Sequence, residues 1–248
     1  MYRYFLLLSI VFVTLRAQAE SISVAVAGGF KPAMEQIKLE FEKQNDTTLL
    51  VSYASVGSLF AQITQNAPFD VFISADINSP EKLEELGIGV KGTRFSYCES
   101  TLVLWSPQSN LVDQDGDILQ KQTFSHIAIA NPKVGVHGRS AIEVFKNLGL
   151  YSSIKSMVVE GKNMLQTTQY VDSGVAELGV ISWSMIYRKG QPVKGSYWII
   201  PSNLYSPVIQ QAQLLQRGKN NSYAIKLLAF LRSPEGKKIM ENYGYKTF

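Results

Sequence analysis

Ile22-Ser23-Val24-Ala25-Val26-Ala27 runs into Gly28-Gly29, after which Met34, Ile37, Lys38 and Phe41 recur at roughly helical spacing. A short apolar run bounded by a turn reads as a strand and a period near 3.6 as a helix, so the segment predicts strand, turn, helix. The unit repeats. Leu49 to Ala54 predicts a strand, Ser55-Val56-Gly57-Ser58 a turn, and Leu59 to Gln65 a helix. Val71 to Ser74 predicts a third strand, with Ser79 as cap and Pro80 opening a helix from Glu81 to Leu86. Three such units predict a parallel sheet covered by helices.

A second series follows the apolar strand Leu102 to Trp105. Ile127 to Ala130 predicts a strand, Asn131 to Gly138 a loop, and Ser140 to Leu148 a helix closed by Gly149. Val158-Val159 predicts a strand, Glu160 to Asn163 a turn, Met164 to Val171 a helix, and Leu178 to Ser182 a further strand. From Ile199 to Leu215 the chain is extended and carries Pro201 and Pro207; helical patterns over Ser222 to Leu231 and Pro234 to Tyr243 close it and are expected to return to the first unit. The expected fold is α/β with two lobes, each a mainly parallel sheet flanked by helices. Residues 20–99 with 206–248 would form lobe 1 and residues 100–205 lobe 2, with a hinge where the chain crosses near 98–105 and 200–210.

Ahead of these units, Arg3, the apolar run from Phe5 to Val13 and Ala17-Gln18-Ala19 have the charge, apolar core and small-x-small end of a signal peptide, so cleavage is expected after Ala19. The run is shorter than the roughly 20 apolar residues that span a bilayer. Loss of residues 1–19 removes Arg3 and Arg16 and no acid, which lowers the formal charge from +4 to +2. The expected location is periplasmic.

The 248 residues, 46% hydrophobic and 18% charged, argue against disorder and coiled coil. Scattered basic residues argue against a nucleic-acid partner. The single cysteine, Cys98, excludes an internal disulfide framework, and two histidines leave little for a metalloenzyme.

In an open parallel sheet, ligands sit beyond the carboxyl ends of the strands, where helix starts present unpaired N–H groups and the positive end of their dipoles. Four strand ends here meet Gly- or Ser-bearing helix starts: Gly28-Gly29, Ser55 to Ser58, Gly135 to Ser140, and Gly161 to Met164. Two lie in each lobe, so facing one another they would line a pocket with backbone amides suited to a small anion. The same residues also serve ordinary tight turns. Lys31, Arg139 and Lys162 flank these turns, while His137 is placed within one, able to donate a hydrogen bond when neutral and to add charge when protonated.

Val24 to Phe30, Ala67-Pro68-Phe69-Asp70-Val71-Phe72-Ile73-Ser74-Ala75-Asp76, Thr101 to Ser106, Ile129 to Pro132, Ser173 to Gly179 and Pro207 to Ala212 together form a pattern that resembles the ModA-type molybdate-binding proteins of ABC transporters. The resemblance runs in order through the mature chain and implies a type II periplasmic binding protein that closes on an oxyanion and delivers it to a membrane permease. It also implies the site: N–H groups of Gly28, Gly29, Ser55, Val56, His137 and Met164, with the hydroxyls of Ser55 or Ser58 and the His137 imidazole as auxiliary donors. The ligand shell departs from the family. Gly28 and Gly29 stand where relatives carry Ser or Thr-Asn, Val56 and Gly57 separate Ser55 from Ser58, and His137 takes a tyrosine's place.

A molybdate- or tungstate-like oxyanion is therefore the expected ligand, for uptake by an ABC importer. The alternatives are an organic acid, a phosphate-bearing anion or ferric iron, or loss of molybdate binding. Tyr53, Tyr97, Tyr170, His137 and Glu160 are the residues an iron site would draw on. The Ser-x-x-Lys spacings Ser79 to Lys82 and Ser152 to Lys155 are the one hint of catalysis; no catalytic residue, resident metal or cofactor is expected, the permease contact is transient, and the chain is expected to be monomeric.

Overall fold

The computed structural model describes residues 20–248; the expected signal peptide lies outside the described residues. In β1 (Glu20–Ala27) the residues Ile22, Val24 and Val26 alternate with Ala25 and Ala27, and each set is buried against a different layer. The larger set packs on α1 (Lys31–Gln44) through Met34, Ile37 and Phe41; the alanines face α2 (Val56–Thr64) through Leu59 and Ile63. A strand covered on both faces has to be apolar at every position, which is why this run reads as continuous rather than alternating.

β1 pairs in parallel with β2 (Thr47–Ala54) and β3 (Val71–Ser74), and α3 (Asn78–Glu85) follows. β4 (Phe95–Ser100) ends where β5 (Leu102–Ser106) begins, and there the chain enters the second sheet. That sheet takes in β6 (Ile127–Ala130), β7 (Val158–Gly161), β8 (Leu178–Ser182) and β9 (Ser196–Ile199), with α4 (Ile118–Lys121), α5 (Val136–Asn147), α6 (Tyr151–Ile154) and α7 (Met164–Asp172) between them. β10 (Val208–Leu214) carries the chain back, and α8 (Ser222–Arg232), α9 (Pro234–Asn242) and β11 (Lys246–Thr247) complete it. The sheet orders are β11-β4-β10-β3-β1-β2 and β7-β6-β8-β5-β9. As expected, the last helices return: Leu227, Leu231 and Met240 share the core of Ile22, Val24 and Ile37.

The expectation of mainly parallel sheets needs correction. β3-β1-β2 and β7-β6-β8 are parallel, but β10, β4 and β11 join the first sheet antiparallel, and β5 and β9 do so in the second. A parallel neighbour needs a crossover of a dozen or more residues. The strands flanking the two crossings, β4, β5 and β10, pass between sheets without a helical crossover, and each runs against its neighbours.

Two boundaries also differ. α5 starts at Val136, so His137 is a helical residue and not part of a loop. Gly138 explains the misreading: a Cβ there would lie 2.0 Å from the Ala130 carbonyl oxygen, so this glycine permits close approach of the helix to β6 rather than a turn. α3 begins at Asn78 after Ile77, so Ser79 lies within its first turn and is not its cap; the Ser79 amide donates to the Asp76 carboxylate just ahead of the helix at 3.1 Å.

Candidate functional site

The carboxyl ends of β1, β2, β3 and β6 converge on a small chamber with the starts of α2, α5 and α7 around it. Its wall contains Gly28, Gly29, Ser55, Val56, His137 and Met164, six of the seven residues expected from sequence. Ser58 is not in the wall. Its hydroxyl lies 2.7 Å from that of Ser55, and its amide donates to Ser55 Oγ at 3.3 Å. Either hydroxyl of that pair can donate; when Ser58 does, the Ser55 proton is free to turn to the chamber that Ser55 lines, so Ser58 acts on Ser55 and not on the chamber.

The amides of Val56, His137 and Met164 belong to first helical turns and have no acceptor within their own helices. Those of Gly28 and Gly29 open a single 3-10 turn. Asn163, which sequence reading passed over as an ordinary turn residue, lines the chamber and caps α7 by accepting from the Gln166 amide at 3.0 Å. Ala27, Ala54, Ala75, Ala130, Gly135 and Val136 complete the wall. Their small or apolar side chains carry no motif by which sequence could have found them.

None of the flanking cations lines this wall. Lys31 lies over the Tyr53 ring at 5.4 Å. Arg139 sits across the cleft from Asp76, 3.8 Å from its carboxylate, which also accepts from the Ser74 and Ser79 hydroxyls. Lys162 is exposed. Positive potential inside the chamber therefore comes from three helix starts, each worth about half an elementary charge.

His137 is 5% exposed, and burial, with Arg139 adding to it, pushes its pKa down to about 4. At neutral pH it is therefore uncharged, and of the two roles open to it the neutral hydrogen-bonding one applies. Its Nε2 lies 3.2 Å from Ser100 Oγ. From there a line of buried hydroxyls continues through Ser182 and Ser184, 2.8 Å per step, to the Gly29 carbonyl oxygen at 3.0 Å. Tyr245 also donates to that carbonyl, at 2.8 Å. Sequence reading missed this line entirely.

The chamber is small, about 20 Å³ in volume, enough for one compact group and not for a ligand of many atoms. The Gly57 amide donates to the Val134 carbonyl oxygen at 2.9 Å across the rim, which ties α2 to the segment before α5.

Two of the tyrosines named for iron have other partners. The Tyr53 hydroxyl donates to Glu35 at 2.8 Å and that of Tyr97 to Gln210 at 2.8 Å. Among the described residues there is no cluster of three or more His, Cys, Asp or Glu side chains able to hold a metal. The Ser-x-x-Lys pair at Ser79 is likewise engaged elsewhere, with Ser79 on Asp76 and Lys82 on Glu85 at 2.9 Å.

Comparison with known proteins matches residues 22–246 to the bacterial extracellular solute-binding proteins. The chain is 41% identical over 229 residues to the molybdate-binding protein ModA of Azotobacter vinelandii, covering 92% of this chain and 91% of that one. It is 37% identical to ModA of Rhodobacter capsulatus, over 94% of this chain and 91% of the relative. The solved periplasmic molybdate-binding protein of Azotobacter vinelandii superposes with a TM-score of 0.87 at 33% identity, over 90% of this chain and 98% of that one.

Proposed function

Because the chain belongs to the bacterial extracellular solute-binding proteins, of the ModA type, we propose that it captures molybdate or the closely similar tungstate outside the cytoplasm for an ABC importer. It is a binding protein and not an enzyme. The observation that carries the ligand is the chamber: about 20 Å³ in volume, walled by helix-start residues of both sheets and free of cationic side chains. An organic acid or sugar phosphate is too large for that space. Ferric iron would meet N–H donors where it needs oxygen and nitrogen lone pairs.

In the proposed mechanism residues 20–99 with 206–248 form one lobe and residues 100–205 the other, hinged where β4 passes into β5 and where the chain returns to β10. Gly28, Gly29, Ser55 and Val56 bind from the first lobe, His137 and Met164 from the second. Three helix starts supply a positive charge of about 1.5, close to what a dianion requires. Closure expels water, and in the drier chamber each N–H bond to the anion strengthens. Arg139 offsets the Asp76 carboxylate at the rim, so that the carboxylate repels the arriving anion less. The loaded monomer then meets a membrane permease transiently. Cleavage after Ala19 releases the mature protein into the periplasm.

Titration of the purified mature protein with molybdate, tungstate, sulfate and phosphate, read by calorimetry and thermal shift, tests the assignment. Molybdate and tungstate should bind tightly and raise the melting temperature with the logarithm of their concentration. Preferential binding of sulfate or phosphate would refute it.

A further inference from the structure

His137 lines the chamber with its ring, and one ring nitrogen, Nε2, already faces Ser100 Oγ. That leaves Nδ1 for whatever occupies the chamber. A neutral imidazole carries one proton, so Nδ1 can meet an anion as a donor only if Nε2 is bare and accepts from Ser100. Which nitrogen holds the proton is decided by the hydroxyls behind it.

Two arrangements satisfy those hydroxyls. In the first, every proton points away from His137: Nε2–H donates to Ser100, Ser100 to Ser182, Ser182 to Ser184, and Ser184 to the Gly29 carbonyl oxygen. In the second, the same protons point back, from Ser184 through Ser182 and Ser100 to a bare Nε2, while Tyr245 alone supplies the Gly29 carbonyl. The Tyr245 hydroxyl is placed for this, 2.8 Å from Gly29 O and 2.9 Å from Ser184 Oγ. The first arrangement uses one more internal hydrogen bond and turns a lone pair toward the chamber. The second turns an N–H toward it. Hydrogen bonds to an anion are roughly twice as strong as neutral ones, so an oxyanion selects the second.

Resting on the oxyanion reading above, we propose that Ser100, Ser182, Ser184 and Tyr245 form a reversible hydroxyl chain that sets the His137 tautomer, and that a bound oxyanion reverses it so that Nδ1–H becomes a ligand donor. The residues are positioning groups, for none touches the ligand. The chain also joins the two lobes. Ser100 stands at the crossing from β4 to β5 and Ser182 at the end of β8, whereas Gly29 and Tyr245 belong with the first sheet. The change of tautomer moves one proton with no net gain or loss: water in the open cleft gives a proton to Nδ1 and takes one from Nε2, and each hydroxyl of the line then rotates. All the oxygens in the line are buried, which keeps water from substituting for any one of them.

The test uses the mature protein labelled with 15N at histidine. It has two histidines, and the exposed His126 is assigned by His126→Gln. Nitrogen shifts separate the tautomers directly, and calorimetry on the same sample reports binding. Without ligand, His137 should be the Nε2–H form; with saturating molybdate it should become the Nδ1–H form. Tyr245→Phe should leave the ligand-free tautomer unchanged but lower molybdate affinity about tenfold, because the reversed chain then leaves Gly29 O without a donor. Ser182→Ala should cut the line behind Ser100, so that both tautomers keep equal numbers of internal hydrogen bonds and the ligand-free spectrum shows a mixture of the two. Tight molybdate binding with no change of tautomer would overturn the hydroxyl chain while leaving the oxyanion reading intact; no binding of molybdate or tungstate would overturn both.

Discussion

Gly57 is where the proposed closure can be tested with one carbon atom. A Cβ built on it lies 3.2 Å from the Val134 Cα, Cβ and carbonyl oxygen, and two of those three are backbone atoms with little freedom to retreat. The Gly57 amide is at the same time hydrogen-bonded to that carbonyl at 2.9 Å. Gly57→Ala therefore pushes α2 away from the segment before α5 at the point where the two sheets' loops touch. Overpacking of this kind costs about 1–3 kcal/mol. In the proposed closure this contact forms as the lobes meet, so the whole cost should fall on ligand binding, a loss of about 5- to 150-fold in affinity. The open, ligand-free protein should not suffer. Gly57 lies in the first turn of α2, where alanine is favoured over glycine by about 0.5–1 kcal/mol, so its melting temperature should hold or rise. Calorimetric titration with molybdate beside scanning calorimetry of the ligand-free variant separates the two effects. Wild-type affinity in Gly57→Ala would refute the claim that binding brings Gly57 against Val134.

Other outcomes follow from the same geometry. His137 is held near a pKa of about 4 by burial, below its unfolded value of 6.5, so the unfolded chain binds the proton first as pH falls; stability should be full above pH 6.5 and decline by about 3 kcal/mol down to pH 4, and His137→Gln should flatten that decline in urea titrations. His137→Ala should lower ligand-free stability by about 1–3 kcal/mol as well as affinity, since it leaves Ser100 short of a partner in a buried site, a change visible in thermal denaturation. Ser58→Ala should weaken molybdate binding by up to about tenfold by freeing the Ser55 hydroxyl to turn away, with Ser58→Thr restoring it. The Cys98 thiol, buried and raised well above its ordinary pKa by that burial and by Glu99, should resist alkylation in the folded protein and react at once in denaturant.

The order of strands and helices is written locally. Val24 to Ala27 and Val71 to Ser74 are apolar because helices cover both faces of their sheet, Leu49 to Ala54 is the sheet's edge and buries only part of its side chains, and the Gly- and Ser-bearing turns after these strands mark where the helices begin; this much needs only near neighbours, and it led to the chamber residues Gly28, Gly29, Ser55, Val56 and Met164. It failed where a residue's task depends on distant atoms. Gly138 resembled a loop residue because its reason, contact with the Ala130 carbonyl, lies in another element. Ser58 looked equivalent to Ser55, yet the turn of α2 sends one hydroxyl to the chamber and the other behind it.

His137 shows the division most sharply. That a histidine stands at this helix start is sequence. That it is neutral, and that its ring is tied to a line of hydroxyls, was decided by folding. Ser100 and Ser182 are 82 residues apart and Tyr245 is 216 from Gly29, and only the packing of both sheets brings them within hydrogen-bond distance and removes the water that would otherwise compete. Periodicity fixes which face of an element is apolar; desolvation and the meeting of remote polar groups are properties of the assembled volume, and those are what give the chamber its size and its donors.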